Sequence, residues 1–294
     1  LKSTMGGRCC CARKLDPNQK VTNDTKPFFE APSSDPEKTL IDFTPKGEDA
    51  DKFDKAFAAN DLEALVSLMS SMQVIDSFAE RVHPWAVNPR TVGTLAGLHL
   101  AMLAAIPESD CLDMKNAIRQ AGAIPPLVGF LECGELDRGQ AAVVALSILT
   151  VDCPANGHAA YSAGAMTPLL LKMDSGVPGV RSSAATALRN MCVEAMEYRQ
   201  DLMQQDGLER FVGALSDSFP KADMQLEALL NFQDIIETRD GILIQEYARA
   251  ALKCGASTKL KKLCQSPDAD VRETAEDVLR RLESFKSSQK GKHG

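Results

Sequence analysis

A glycine and three adjacent cysteines close to the start of the chain have the most specific chemistry in the sequence. The stretch reads Met5-Gly-Gly-Arg-Cys-Cys-Cys-Ala-Arg-Lys14. If Met5 is the biological start, its removal leaves Gly6 as an N-terminal amine, the group that N-myristoylation acylates. The myristoylation pattern prefers Ser or Thr four residues after the glycine, and the small residue Cys10 stands there. We therefore predict lipid attachment at Gly6, Cys9, Cys10 and Cys11.

A second signal beside the myristoyl chain is needed for stable anchoring, because one such chain binds a membrane with a constant only on the order of 10⁴ M⁻¹. Palmitoylation of the cysteines would supply it, and the cations Arg8, Arg13 and Lys14 would add about 1 kcal/mol each on an anionic leaflet. The alternatives are an accidental composition and a zinc site, although adjacent cysteines with no His nearby lack the ligand spacing of zinc. Residues 5–14 are thus predicted to anchor the chain. Residues 1–4 are expected to be an expression scar, with which Gly6 would be internal.

The composition of the 294 residues limits the other classes of function. A net charge of −7 gives no general electrostatic support for binding nucleic acid. Hydrophobic residues make up 44% and aromatic residues 5%, which favours aliphatic packing of helix against helix. The nine cysteines are odd in number and include no CxxC pair, so neither a disulfide framework nor a metal site is predicted. No phosphate-binding loop, nucleophile elbow or Ser/His/Asp set is recognisable, and we predict no enzyme activity and no cofactor.

The composition also divides the chain. Residues 15–50 contain five prolines among Ser, Thr, Asp and Lys, which predicts an extended, flexible tether. From residue 51 apolar residues recur at helical spacing, and this pattern predicts a helical domain over residues 51–285. Residues 286–294 are rich in Ser, Lys and Gly and are predicted to be a disordered tail. No apolar run approaches the roughly 18 residues of a transmembrane helix, so any membrane contact is predicted to be peripheral.

Two sequence patterns recur at a fixed offset along the helical domain. Glycines in similar contexts stand at Gly122, Gly164, Gly207 and Gly255, in steps of 42, 43 and 48 residues. About 24 residues after each glycine comes an Ala-rich string, for example Ala187-Leu-Arg-Asn-Met191. We predict that each glycine ends one helix with a positive φ and that the next helix begins at once. Period and offset together predict a solenoid of three-helix units.

Two of the repeated strings resemble signatures of the armadillo family. Asn116-Ala-Ile-Arg-Gln-Ala-Gly-Ala-Ile-Pro-Pro-Leu-Val-Gly-Phe-Leu131 is similar to the second-helix signature, and Ala184-Ala-Thr-Ala-Leu-Arg-Asn-Met191 is similar to the third helix. The resemblance covers about residues 107–285, or four units. A degenerate unit is expected over 51–106, since terminal repeats must shield an open core face. The resemblance implies an all-α, right-handed armadillo-repeat solenoid of about five three-helix repeats, preceded by the extended Pro-rich tether.

The resemblance also implies a binding surface. In armadillo proteins the third helices line a concave groove, where an asparagine on each helix holds the backbone of an extended partner. That position is occupied here by Ile148, Asn190, Asn231 and Arg281, and the position one turn earlier by Val144, Thr186, Glu227 and Asp277. We therefore predict a partner-binding groove formed by Thr186, Asn190, Glu227, Asn231, Asp277 and Arg281.

The predicted groove residues also allow another role, and they do not match the import receptors of the family. The alternative role for each asparagine is a polar contact between neighbouring repeats. Import receptors of the armadillo family place a Trp one turn before the asparagine, and Thr186 and Glu227 stand there in this chain. Binding of basic import signals is therefore disfavoured.

The whole layout, a short armadillo array behind a Gly/Cys acylation segment, resembles the apicomplexan armadillo-repeats-only family. That resemblance implies a lipid-anchored scaffold on the cytosolic face of the rhoptry, an apical secretory organelle, which it positions by recruiting partners. The implied partners are an unconventional myosin, an interacting adaptor protein and an adenylate cyclase, with no nucleic acid. Two alternatives are an acylated vacuole-type armadillo adaptor, which has many more repeats, and an armadillo regulator or exchange factor for a small GTPase.

Overall fold

Fifteen α-helices make up the part of the chain that the computed structural model describes, namely residues 47–75, 87, 89–105, 111–215 and 221–290. Those ranges contain no strand, only isolated antiparallel bridges between Val74 and Thr91 and between Glu237 and Leu243. The helices form five consecutive units of three: α1 (Glu48–Ala59), α2 (Leu62–Leu68) and α3 (Val92–Ala105); α4 (Cys111–Gln120), α5 (Ile124–Glu132) and α6 (Leu136–Thr150); α7 (Pro154–Ser162), α8 (Met166–Lys172) and α9 (Pro178–Cys192); α10 (Met196–Gln204), α11 (Gly207–Ala214) and α12 (Ala222–Ile236); α13 (Gln245–Lys253), α14 (Ala256–Leu263) and α15 (Ala269–Lys290).

The units stack in chain order, with third helix beside third helix. Helix α6 packs on both α3 and α9, and α12 packs on both α9 and α15. The largest core of buried apolar side chains runs without a break from Ala50 in α1 to Leu282 in α15. Each unit thus buries its apolar faces on its neighbours, as repeat arrays do. The predicted solenoid of about five three-helix repeats is confirmed, with α1–α3 as the degenerate first unit.

Glycine turns join the first and second helices of three units, as predicted. Gly122, Gly164 and Gly255 have φ angles of +88°, +86° and +85°, which L side chains rarely adopt. The prediction is wrong at Gly207, because the left-handed φ, +55°, belongs to the residue before it. Gly207 is instead the first residue of α11, and a Cβ on it would lie 2.6 Å from Cγ and 2.7 Å from the carbonyl oxygen of Leu202. Close packing, rather than backbone conformation, explains glycine at this position.

The helices extend past both predicted ends of the helical domain. Helix α1 begins at Glu48, inside the range assigned to the tether, because the side-chain oxygen of Gln73 accepts hydrogen bonds from the backbone N–H groups of Asp49 at 3.0 Å and Ala50 at 3.2 Å. Helix α15 continues to Lys290, inside the range assigned to the tail. Serine hydroxyls in its last turns donate to carbonyls of the turn before. Neither feature changes the apolar period of the sequence, which is why the sequence did not predict these helix ends. The structure corrects the boundaries at 50 and 285.

His99 lies in the core between α1 and α3. Its ring is 7% exposed, with its centroid 4.4 Å from that of Phe57, and it meets Phe53 edge-on at 6.2 Å. No hydrogen-bond partner for its Nε2 is found in the described part of the chain. Burial lowers the pKa of His99 to about 4. The imidazole is therefore neutral in the folded protein at pH 7.

We expect mild acid to destabilise the fold through His99. Because its folded pKa of about 4 lies below the ordinary value of 6.5, the unfolded chain binds the proton first as the pH falls through this range. At pH 5 the free energy of unfolding should be about 2 kcal/mol lower than at pH 7.5 on this account. Denaturant unfolding of His99→Phe, which keeps an aromatic ring, should lack this part of the loss. Equal losses in wild type and variant would assign the acid sensitivity to other groups.

Candidate partner-binding face

The third helices α3, α6, α9, α12 and α15 lie side by side and form one face of the array, which we call the third-helix face. All six side chains predicted to bind a partner are on α9, α12 and α15. They come one turn apart on each helix, because four residues separate the members of each pair. The face therefore presents the predicted residues in two rows that run from unit to unit.

Glu227 links α9 to α12 on this face. Its carboxylate accepts hydrogen bonds from the hydroxyl of Ser182 at 2.5 Å and from that of Thr186 at 2.6 Å. The side-chain amide of Asn231, one turn after Glu227, donates to the same Thr186 hydroxyl at 3.0 Å. The structure thus brings three of the predicted residues into one hydrogen-bond network.

This network can bind further groups. Thr186 and Glu227 are half-buried, and Asn231 is 5% exposed. Both hydrogen-bond partners of Glu227 are neutral hydroxyls, so its negative charge has no cation beside it among the described residues. A charged acceptor in partly dry surroundings attracts a donor or cation more strongly than one in open water. The site is suited to a segment that brings such a group to Glu227.

Asn190 makes its contacts with the opposite neighbour, α6. Its amide N–H donates to the carbonyl of Ser147 at 3.3 Å and to the hydroxyl of Thr150 at 3.2 Å. Its amide oxygen accepts from the guanidinium of Arg189 at 2.8 Å, and the side chain is 3% exposed. These are contacts between repeats, the alternative role considered for the asparagines. A ligand that used this amide would have to exchange them.

Asp277 and Arg281 lie at the last junction, between α12 and α15. The guanidinium of Arg281 pairs with Asp277 at 2.7 Å and with Glu237, just beyond α12, at 2.6 Å. Burial raises the pKa of the Glu237 carboxyl, and the pairing with Arg281 opposes that rise. The two predicted residues therefore form an ion-pair cluster apart from the Glu227 network.

Some polar groups of the face were not predicted from the sequence, among them Ser182, Glu237 and the pair of Arg189 with Asp234. Nε of Arg189 donates to the Asp234 carboxylate at 2.6 Å, from α9 to α12. Helical spacing could have indicated Ser182, which lies four residues before Thr186. It could also have indicated Asp234, which lies three residues after Asn231. Glu237 had no such signal, because it belongs to a connection and not to a helix.

The predicted anchor is not part of the described residues. Its lipid-attachment residues Gly6, Cys9, Cys10 and Cys11 and its cations Arg8, Arg13 and Lys14 all precede residue 47, so their role stays a prediction. Within the described ranges, no helix combines the length and the apolar character needed to cross a membrane. In the same ranges, no three His, Cys, Asp or Glu side chains are grouped so that they could hold a metal ion.

Solved structures with a similar fold are known, although no family model matches the sequence. The armadillo repeats only protein from Plasmodium falciparum superposes with a TM-score of 0.74 and 34% sequence identity, over 80% of this chain and 98% of that chain. A designed armadillo repeat protein matches with a TM-score of 0.60 and 23% identity, over 82% of this chain and 89% of that chain. Another, in complex with the peptide (KR)4, matches with a TM-score of 0.59 and 21% identity, over 81% of this chain and 87% of that chain.

The five stacked units and these likenesses define an armadillo-repeat protein. This fold supports a role as a protein-interaction scaffold. Since the identity to the P. falciparum protein is 34% over 98% of its length, the chain belongs to the armadillo repeats only family.

Proposed function

We propose that the chain is a lipid-anchored scaffold that recruits protein partners to the cytosolic face of the rhoptry membrane and so positions this organelle. The observation that carries the proposal is the network of Thr186, Glu227 and Asn231 on the third-helix face. It offers hydrogen-bonding groups from two adjacent units to a segment that crosses both. Family resemblance supports an unconventional myosin, an interacting adaptor protein and an adenylate cyclase as the partners.

The chemistry of the face favours a partner that is not uniformly basic. The designed armadillo repeat protein of similar fold was solved with the peptide (KR)4. On the present chain the cations Arg189 and Arg281 already pair with acids of the same face. Glu227 is left as an acid without a cation, so one basic or hydroxyl-bearing residue opposite Glu227 fits better than a continuous basic run. We expect an extended peptide segment with mixed polar side chains.

One experiment with two arms tests anchor and face separately in the native cell. In the first arm, a protein that starts at Met5 should lie on a discrete organelle, whereas its Gly6→Ala and Cys9→Ala/Cys10→Ala variants should be soluble. One acyl chain alone gives only marginal membrane binding, which is why loss of either signal should suffice. Both variants should still bind the purified adaptor protein as wild type does. Membrane retention of both variants would mean that something other than acylation holds the repeats there.

The second arm changes the face and leaves the anchor intact. Thr186→Arg/Glu227→Arg should stay on the membrane but bind the adaptor at least about tenfold more weakly, because the charge at the network is reversed. Glu246→Arg is the matched control, since this exposed glutamate lies on the first helix α13, away from the face. Titration calorimetry with the purified adaptor measures both affinities. Unchanged binding by the double variant would move the partner site away from the third-helix face.

A further inference from the structure

The third-helix face has a polar half and an apolar half. At the two aligned positions α9, α12 and α15 carry hydroxyl, amide or charged side chains, whereas α6 carries Val144 and Ile148. The neighbouring helix α3 adds Leu98, which is completely buried. Contiguous apolar surface is rarely left open on a soluble protein, so the residues that cover this half are informative.

The apolar half is covered by Val87, from outside the helices. Val87 is 2% exposed and packs against Leu98, Ala141 and Val144. Ile148 packs against both this small cluster and the main core of the array. Val87 therefore lies on the aligned positions of α6, whose counterparts on α9 are the polar residues Thr186 and Asn190.

Val87 belongs to the connection between α2 and α3, residues 69–91. The corresponding connections between second and third helices are much shorter, for example residues 133–135 in the second unit and 173–177 in the third. The bridge between Val74 and Thr91 pairs the two ends of the long connection, and the N–H of Ile75 donates to the carbonyl of Arg90 at 2.9 Å. The first unit therefore has the longest of the connections between second and third helices.

The connection is also fastened to the start of α6. The backbone N–H of Arg90 donates to the carboxylate of Asp137 at 3.0 Å. In the other direction, the guanidinium of Arg138 donates to the carbonyl of Ser71 at 2.7 Å. Asp137 and Arg138 are each 8% exposed, so these bonds are largely shielded from water. Arg90, three residues after Val87, is therefore held beside the start of α6.

We infer that the side chain of Val87 is a resident ligand of the third-helix face. Val87 occupies the apolar half from within the same chain and leaves α9, α12 and α15 for a partner. A partner segment that reached α6 would have to displace Val87, which competes at the millimolar effective concentration of a tethered group. The statement about a partner rests on the proposed function, whereas the occupancy of the apolar half does not.

Thiol alkylation tests the occupancy without any partner. In a Val144→Cys background, Val87→Ala should raise the rate of maleimide addition at position 144 at least about tenfold, because local opening then costs less. Val74→Ala is the matched control: it lies in the same connection, is 69% exposed and should leave the rate unchanged. Cys192, which is completely buried in α9, reports unfolding of the array in the same mass spectra and should stay unmodified.

A fluorescent dye tests whether the uncovered surface accepts a ligand. With the natural Val144, Val87→Asp should bind anilinonaphthalene sulfonate with several-fold more fluorescence than Val74→Asp. Adding Val144→Thr and Ile148→Asn, the residue types of the third unit, should remove that gain.

Three results would overturn the inference. Equal alkylation rates for Val87→Ala and Val74→Ala would mean that Val87 does not occupy the face. Alkylation of Cys192 together with position 144 would make Val87 part of the folding core rather than a ligand. An uncovered surface that binds no dye would not be a ligand-binding surface. Since no partner takes part, failure of the recruitment experiment would leave all three results unaffected.

Discussion

Arg199→Met is expected to lower the free energy of unfolding by about 3 kcal/mol. Arg199 lies in α10 and is 3% exposed. Its Nε donates to the carbonyl of Cys192 at 2.9 Å, and one Nη donates to those of Ile235 at 2.6 Å and Glu237 at 3.0 Å. These carbonyls lie at the C-terminal ends of the third helices α9 and α12. There the last carbonyls have no intrahelical donor, and the helix dipole places a partial negative charge. Met fills a similar volume but donates nothing, so all three carbonyls lose their donor.

The expected loss is smaller than three full hydrogen bonds, because burying the cation has a cost of its own. Burial lowers the pKa of the Arg199 guanidinium, and Met removes that desolvation. Denaturant unfolding followed by circular dichroism measures the difference. Arg249→Met is the control, since Arg249 is exposed and bonds to Gln245 at 3.1 Å; its effect should stay within about 0.5 kcal/mol. Wild-type stability of Arg199→Met would mean that these carbonyls find other donors.

Gly93→Ala should destabilise the first unit by about 3 kcal/mol. A Cβ at Gly93, in the first turn of α3, would lie 2.4 Å from the carbonyl oxygen of Met69 and 2.6 Å from that of Ser71. Both neighbours are backbone atoms, so neither can rotate away as a side-chain tip does. Helix α3 would have to move away from the end of α2, and the connection that carries Val87 would move with it.

Gly129→Ala is the matched control and should act in the opposite direction. Gly129 lies inside α5 and is exposed, and a Cβ built on it would have no atom within 4 Å apart from its chain neighbours and the nearby backbone of its own helix. Ala in a helix interior should therefore raise the free energy of unfolding by about 0.5–1 kcal/mol. Thermal unfolding of the two variants separates steric contact from helix propensity. Similar effects of both variants would show that the α2–α3 contact yields easily.

The repeat architecture could be predicted from the sequence because each unit contains the same two signals. A glycine in the left-handed region and an Ala-rich third helix, as at Gly122 and Ala187–Met191, follow from local chain geometry and side-chain size. Such signals add up over several units. Gly207 shows where such prediction fails, because the sequence alone does not distinguish a glycine required for close packing from one required for a positive φ.

The candidate site was only partly predictable. The armadillo resemblance indicated the asparagine position of Asn231, and helical spacing then gave Thr186 and Glu227 at the position one turn earlier. The structure joins these three side chains in one network. The direction in which Asn190 makes its hydrogen bonds depends on the carbonyl of Ser147 and the hydroxyl of Thr150 in another unit. Val87 gave no signal, because a connection without periodicity does not reveal which helix it crosses.

The fastening of the first unit to the second also has a mechanical consequence. The bonds of Arg138 to Ser71 and of Arg90 to Asp137 join these units close to the end from which the predicted tether leaves. With the proposed anchor holding that end and a partner pulling on α12 or α15, the tension would pass through this junction. Buried polar bonds at this junction oppose sliding of the first unit along the second. In the proposed scaffold, this junction would therefore transmit load between a partner and the anchor through hydrogen bonds as well as apolar packing.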